Sequence, residues 1–193
     1  MKKILITGAN SYIGLWVERY LQKWPDDYQV DTVDMIDGSW REKDFRPYDA
    51  ILHMAGLVHQ SQSKNDPVQA ELYDRVNHRL AVETARKAKE EGVRQFLFMS
   101  SESVYGLSAA VGSTVVITKD TALNPTDNYG ISKKKAEEGL ASLMDGDFKI
   151  AVLRPPMIYG KGCKGNYPSL ARLAKKLPAF PYVNNQRSML YIN

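Results

Sequence analysis

The sequence contains a single cysteine, Cys163, among 193 residues. One thiol cannot form an internal disulfide, so a disulfide-stapled scaffold is excluded and a reducing compartment is expected. Long apolar runs are missing too. No stretch reaches the ~18 residues that a membrane helix requires, and the run after Met1-Lys2-Lys3 is too short for a signal peptide. A soluble, cytoplasmic protein without a membrane partner is the expectation. Neither sign of charge dominates, since 26 basic and 22 acidic residues are interspersed for a net +4. That leaves no basic stripe for a nucleic acid. Lys133-Lys134-Lys135, the densest basic run, reads as a solvated helix face. There are only three histidines. His53 has no second metal-type residue at ligand spacing, so it reads as a packed strand residue and no metal site is expected. No internal repeat or low-complexity tract is present.

What is present is an apolar share of 44%, enough for one real core. Short β-branched runs alternate with helical periodicity. That order predicts an α/β fold, a doubly wound parallel sheet with helices on both faces. Strands are expected at 4–7, 28–34, 50–55, 95–99 and 149–153, with the start of another at 188–193. Helices are expected over 12–24, from Pro67 to about Glu91 ended by Gly92, over 129–143, and from Pro168 to Lys176. Residues 37–49 read as a polar connection with at most one helical turn. Residues 57–66 read as a polar loop. Residues 106–128 form a long loop, a length usually tied to function or disorder.

The first strand ends in Thr7-Gly8-Ala9-Asn10-Ser11-Tyr12-Ile13-Gly14 and a helix follows. Strand, tight turn and helix are what a dinucleotide pyrophosphate needs. Gly8 can take a conformation closed to most residues, the helix N-terminus offers free N–H groups, and Gly14 permits close packing on the sheet. The second strand ends at Asp34, 20 residues after Gly14. An acid there accepts hydrogen bonds from the adenine ribose of NAD. Asp31 and Asp37 are rival acids, and Arg41 or Arg46 would serve a 2′-phosphate if the loop folds back, which keeps NADP open.

The strongest chemical constellation is Tyr129-Gly130-Ile131-Ser132-Lys133, with Ser101 upstream. Tyrosine and lysine four apart share a helix face. A nearby ammonium favours the phenolate, lowering a pKa that starts near ~10. Such a phenolate removes a hydroxyl proton as hydride leaves the same carbon, and Ser101 holds the geometry. Joined to Ser100-Ser101 at a strand end and to Val104-Tyr105-Gly106, the set predicts a hydride-transfer site.

These motifs resemble the extended short-chain dehydrogenases/reductases, the NAD-dependent epimerase/dehydratase group, over essentially the whole chain. Ser11 departs from the family turn, which usually carries glycine there. The resemblance implies a Rossmann-like domain over 1–160 and a partial substrate-binding region over 161–193. It implies catalytic Ser101, Tyr129 and Lys133. It also implies cofactor contacts from Gly8, Asn10, Ser11, Tyr12, Ile13, Gly14, Asp34, Met54, Ala55, Gly56, Asn77, Tyr129, Lys133 and Pro156, with Asn77 bracing the active-site backbone. Ser101, Glu102, Ser103, Asn166 beside Gly165, and Arg187 resemble positions that contact a nucleotide-sugar, most often a UDP-sugar.

Three reactions share these residues. Dehydration is disfavoured, because the family's Asp-Glu pair is replaced by Glu102-Ser103. A UDP-hexose 4-epimerase acting by transient C4 oxidation is preferred to a nucleotide-4-keto-sugar reductase of surface polysaccharide synthesis. A non-catalytic NAD-binding module is the reading from another class. Members are usually longer by about a hundred residues, so the resemblance makes the chain look C-terminally short. Family members commonly dimerise through helices near 68–91 and 129–143, whose apolar faces would otherwise pack on the sheet.

Overall fold

The computed structural model describes residues 1–58, 66–108, 110, 112–163, 166–179 and 186–192. The elements in chain order are β1 (Lys2–Thr7), α1 (Tyr12–Leu21), β2 (Tyr28–Val33), a 3₁₀ turn (Ser39–Arg41), β3 (Ala50–His53), α2 (Pro67–Tyr73), a π-helical segment (Asp74–Arg79) and α3 (Leu80–Glu90). Then follow β4 (Gln95–Met99), a second 3₁₀ turn (Glu102–Tyr105), α4 (Asn128–Ala141), β5 (Lys149–Leu153), β6 (Met157–Tyr159), α5 (Asn166–Lys176) and β7 (Met189–Tyr191).

Five parallel strands form the main sheet in the order β2-β1-β3-β4-β5. The chain steps outward from β1 to β2, then returns to the other side of β1 as β3. Thr7 and His53 stand in register at the carboxyl ends of β1 and β3. Beyond them the connections leave in opposite directions and a crevice opens, the usual ligand position in such sheets.

Side chains alternate across each strand, so neighbours serve opposite layers. Leu5, Ile51, Phe96 and Phe98 face α3 and α4, meeting Ala81, Ala85, Ala88, Ala136 and Leu140. Ile6, Leu52 and Met54 face α1, meeting Ile13 and Val17. The apolar faces of α3 and α4 are therefore spent on the sheet. Local signals fix the helix starts. Asp66 accepts a hydrogen bond from Val68 N at 3.0 Å with Pro67 at the first position, and Asp127 accepts one from Gly130 N at 2.7 Å.

Three expectations need correction. The helix from Pro67 to about Glu91 is not continuous, because a π-helical segment interrupts it. Asn77 lies inside that segment and is completely buried. Residues 37–49 are not a merely polar connection, since Trp40, Phe45 and Tyr48 are buried in the larger core. Their spacing follows neither a helix nor a strand, so periodicity could not flag them. The third strand closes at His53, leaving Met54 and Ala55 to the turn. The sequence also gave no sign of β6, a three-residue strand that pairs in parallel with β7 in a separate two-stranded ladder.

In the 106–128 loop, Val115, Val116 and Ile117 are exposed and form no strand. Most of the expected 57–66 loop lies outside the described residues. No helix among the described residues is long and apolar enough to cross a membrane. Because Trp40 is only 1% exposed, Trp40→Ala is expected to cost about 3–5 kcal/mol in urea unfolding. A loss below about 1 kcal/mol would show that this segment is not part of the core.

Candidate active site

The crevice between β1 and β3 is a cleft of about 950 Å³. One wall is the turn Gly8, Ala9, Asn10 and Ser11, another is Met54 to Leu57, and Asp34 to Gly38 close one end. The two turns touch. Gly8 has φ +81° and a Cβ there would fall 2.8 Å from Ala55 N, so any larger residue would be both strained and blocked. Asn10, at φ 65°, is the one described non-glycine residue in the left-handed region, which asparagine tolerates better than most.

Ser11, the departure from the family pattern, has a definite job. It is the N-cap of α1, with its hydroxyl accepting from Gly14 N at 3.3 Å. A Cβ at Gly14 would lie 2.4 Å from that hydroxyl. Tyr12 and Ile13 contribute first-turn N–H groups that a helix cannot satisfy internally. Their side chains do not line the cleft. Ile13 packs beneath α1, and the Tyr12 ring reaches toward Gly160 and Gly162, its hydroxyl buried and without a hydrogen-bond partner among the described residues.

Asp34 is exposed at the cleft end, with one carboxylate oxygen accepting from Ile36 N at 2.8 Å. Asp37 lines the same end. Its carboxyl is held below the usual range first by the Ser39 hydroxyl and then by Ser39 N. Asp31 points elsewhere, accepting from the Tyr48 hydroxyl at 2.7 Å. Arg41 lines the cleft, whereas Arg46 is paired with Asp44 at 2.8 Å outside it.

Beyond Gly56 the cleft reaches the second group of residues. Asn77 is completely buried. Its amide accepts from Leu57 N at 2.8 Å and donates to Leu57 O at 3.1 Å and to the Ser132 hydroxyl at 3.1 Å. Ser132 donates in turn to Tyr129 O at 2.7 Å. Asn77 thus ties the turn after β3 to the first turn of α4. A Cβ at Gly56 would lie 3.1 Å from Asn77 Oδ1 and 3.2 Å from Lys133 Nζ, so the lysine ammonium stands directly beside the cleft floor.

α4 approaches the Ser101 turn closely because Gly130 lacks a side chain, a Cβ there meeting Ser103 O at 2.6 Å. Tyr129 is buried and hydrogen-bonded to the Ser101 side chain. Lys133 donates to Met99 O at 2.9 Å and lies 6.0 Å from the Tyr129 ring centroid. The structure therefore brings Ser101, Tyr129 and Lys133 together. The expectation of a phenol lowered by Lys133 is corrected. Burial raises the Tyr129 pKa, and the Ser101 hydrogen bond opposes that rise. Burial lowers Lys133 itself to about 8, with Glu137 opposing.

Ser101 also caps the turn Glu102–Tyr105, accepting from Ser103 N at 3.2 Å and donating to the Ser103 hydroxyl at 3.1 Å. Pro155 O accepts from Glu102 N at 3.1 Å, which sets the Pro155-Pro156 corner beside the serine turn. Burial raises Glu102, and the nearby Arg187 guanidinium opposes that. These two substrate-contact candidates thus share one neighbourhood. Asn166 opens α5, but its side chain and Gly165 lie outside the described residues.

The residues that sequence reasoning passed over form a polar anchor behind the site. Glu137 takes a bidentate pair from Arg154, with Nη2 at 2.6 Å and Nε at 3.1 Å, and also accepts from the Ser100 hydroxyl. Arg154 donates to the Tyr105 hydroxyl at 2.9 Å. The available signal was position, since Glu137 follows Lys133 by one helical turn on the same face.

Comparison with known proteins follows the same lines. The model of the NAD dependent epimerase/dehydratase family matches residues 4–192. A UDP-glucose 4-epimerase of Vibrio cholerae is 32% identical over 213 residues, covering 100% of this chain and 63% of its own length. The UDP-glucose 4-epimerase of Bacillus subtilis is 30% identical over 131 residues, covering 66% of this chain and 36% of its own. Among solved structures, the UDP-Glc/GlcNAc 4-epimerase from Campylobacter jejuni superposes with TM-score 0.68 at 22% identity, covering 90% of this chain and 61% of that one. A Bacillus cereus UDP-glucuronic acid 4-epimerase in complex with NAD gives 0.66 at 20%, covering 82% and 58%. These structural likenesses establish the Rossmann-like fold. The chain spans less than two thirds of the length of each of these proteins.

His53 supplies a pH test of the same region. It is fully buried, with Nδ1 2.8 Å from the Thr7 hydroxyl and Nε2 unpartnered, and burial followed by Lys133 lowers its pKa to about 3. Between pH 6.5 and 3 the unfolded chain binds a proton that the folded chain refuses, so stability falls as pH falls. Relative to His53→Gln, the wild-type unfolding free energy is expected to drop by up to about 1.4 kcal/mol per pH unit across that window. Parallel curves for the two proteins in urea titrations at pH 4–7 would contradict a neutral buried imidazole.

Proposed function

The chain belongs to the NAD dependent epimerase/dehydratase family, and on that footing we propose that it binds NAD and inverts a UDP-hexose at C4. The observation that carries the reading is the meeting of Ser101, Tyr129 and Lys133, with the lysine ammonium beside Gly56 of the β1/β3 cleft.

The cleft fits the cofactor on its own geometry. Gly8 leaves the approach open, the α1 N-terminus faces the turn with free N–H groups, and Asp34 keeps a carboxylate oxygen for a ribose hydroxyl. Asn10, Met54, Ala55 and Gly56 line the path from that end to Lys133. Bound NAD would supply the hydride acceptor and, when oxidised, a positive ring. That ring would work against the burial that raises Tyr129, and Lys133 stands 6.0 Å from the phenol ring centroid.

In the reaction, the Tyr129 oxygen takes the proton of the C4 hydroxyl as the C4–H bond releases hydride, leaving a C4 ketone. Ser101, already bonded to that phenol, holds the hydroxyl in line. The sugar turns over, hydride returns to the opposite face, and Tyr129 gives the proton back. No net redox change results. Lys133 balances the charge on the tyrosine in each direction. Arg187 beside Glu102 suits the diphosphate of the nucleotide, which a guanidinium binds as a fork. Residues 1–160 would carry the cofactor, and residues from 161 would begin the substrate region.

The decisive experiment incubates the protein with NAD and UDP-glucose or UDP-galactose and follows C4 configuration by NMR. Epimer formation without net NADH is expected, and Tyr129→Phe is expected to lose at least about 10³-fold in turnover while keeping NAD affinity. Stoichiometric NAD(P)H consumption with a 4-keto sugar would replace this reading by a reductase. NAD binding without turnover of any nucleotide-sugar, in a longer homologous chain as well, would leave a binding module.

The proposal extends to a homodimer. With the inner faces of α3 and α4 used by the sheet, Val68 at 77% exposure and Ile131 at 39% are the outward apolar residues of the two long helical stretches. Sedimentation is expected to give twice the chain mass, falling to the chain mass in Val68→Asp/Ile131→Asp. A monomeric wild type at all concentrations would refute it.

A further inference from the structure

The cleft end that would receive the adenine ribose presents both charges. Asp34 and Asp37 line it, and so does Arg41. A 2′-phosphate, at about −1.5 to −2 charges, would be repelled by the two acids and drawn to the arginine. The structure decides between them through a residue on a different element. Glu83, on α3, also lines this end and takes Arg41 in a two-point pair, Nε to Oε1 at 2.5 Å and Nη2 to Oε2 at 2.7 Å. The Arg41 carbon stem is fixed as well, its guanidinium lying 4.6 Å from the Trp40 ring, with Trp40 itself buried. Arg41 is thus spread from the loop after β2 across to α3, with the donors of one whole edge occupied.

We propose that Glu83 is a cofactor-specificity residue, which sequesters Arg41 and thereby withholds from a 2′-phosphate the guanidinium that shares this end of the cleft with Asp34 and Asp37. The inference rests on the NAD-binding reading above and deepens it. Asp34 rewards a free 2′-hydroxyl, while Glu83 removes the group that would reward its phosphorylation. A bidentate carboxylate is the one side chain that can occupy the guanidinium fork as a phosphate would.

The test measures dissociation constants for NAD⁺ and NADP⁺ by isothermal titration calorimetry at fixed ionic strength, without substrate. The proteins are wild type, Glu83→Gln, and the double variant Arg41→Gln/Glu83→Gln, each checked for folding by circular dichroism. Wild type is expected to prefer NAD⁺. In Glu83→Gln the ratio of the two constants is expected to move toward NADP⁺ by roughly tenfold, the scale of one charge-assisted contact at a solvated site. In the double variant it should return to near the wild-type ratio. An unchanged ratio in Glu83→Gln overturns the proposal. So does a shift that persists in the double variant, because it would come from the lost Glu83 charge and not from a released Arg41. Loss of both cofactors in a folded Glu83→Gln would mean that the pair builds the cleft without discriminating, which also overturns it. A wild type that binds neither dinucleotide would remove the cofactor reading and this inference with it.

Discussion

The contact between two turns, at Gly8 and Ala55, sets the rest of the molecule. A Cβ at Gly8 would sit against Ala55 N and Cα, so the backbones at the ends of β1 and β3 are as close as atoms allow. That closeness is possible only because β1 lies between β2 and β3 and the chain reverses its direction of travel across the sheet there. Everything that approaches the cleft is measured from this pinch. α1 begins on one side of it under the Ser11 cap, and the turn carrying Gly56 leaves on the other. At the pinch itself the cleft floor is backbone, Gly8 against Ala55 and then Gly56.

The second constraint is how the catalytic candidates are tied to that floor. Asn77 spends three hydrogen bonds linking Leu57 to Ser132. A buried amide satisfied on both ends is strongly oriented, since breaking any one bond would leave an unpaired polar group at a cost of about 1–3 kcal/mol. Asn77 sits inside the π-helical segment, four residues after buried Tyr73 and four before buried Ala81, so the buried face runs on through the irregular turn.

Much of this was legible in the residues. The five main strands, the α4 register and the pairing of Tyr129 with Lys133 followed from periodicity and spacing, while Ser101 was placed with them by the resemblance of its motif. The place of Asp34 at the cleft end followed from its distance to the glycine turn, although Asp37 stands there as well. What escaped notice did so for physical reasons. Trp40, Phe45 and Tyr48 pack a core from an irregular segment, and irregular backbone has no period to read. The π-helical segment leaves composition unchanged. Ser11 read as a departure from glycine because a cap depends on geometry, which a motif does not encode. The lowered Tyr129 was an argument from proximity alone. Burial is invisible in sequence, and here burial is the larger effect.

The arrangement of charges behind the site fixes how Lys133 is held. It is buried, and a buried ammonium seeks a carboxylate. Glu137 lies one turn away on the same helix and would pair with it, raising its pKa and fixing its protons. Instead Glu137 is committed to Arg154 through a bidentate pair and to the Ser100 hydroxyl. Arg154 is in turn held by Tyr105. The carboxylate still attracts Lys133, but at second rank behind burial, and the lysine settles at about 8 with its one described hydrogen bond to Met99 O. Burial thus outweighs the Glu137 carboxylate at Lys133, which stands beside both Gly56 and the Tyr129 ring. The Arg154 pair fixes which partner the Glu137 carboxylate takes, and Lys133 is held by a backbone carbonyl instead.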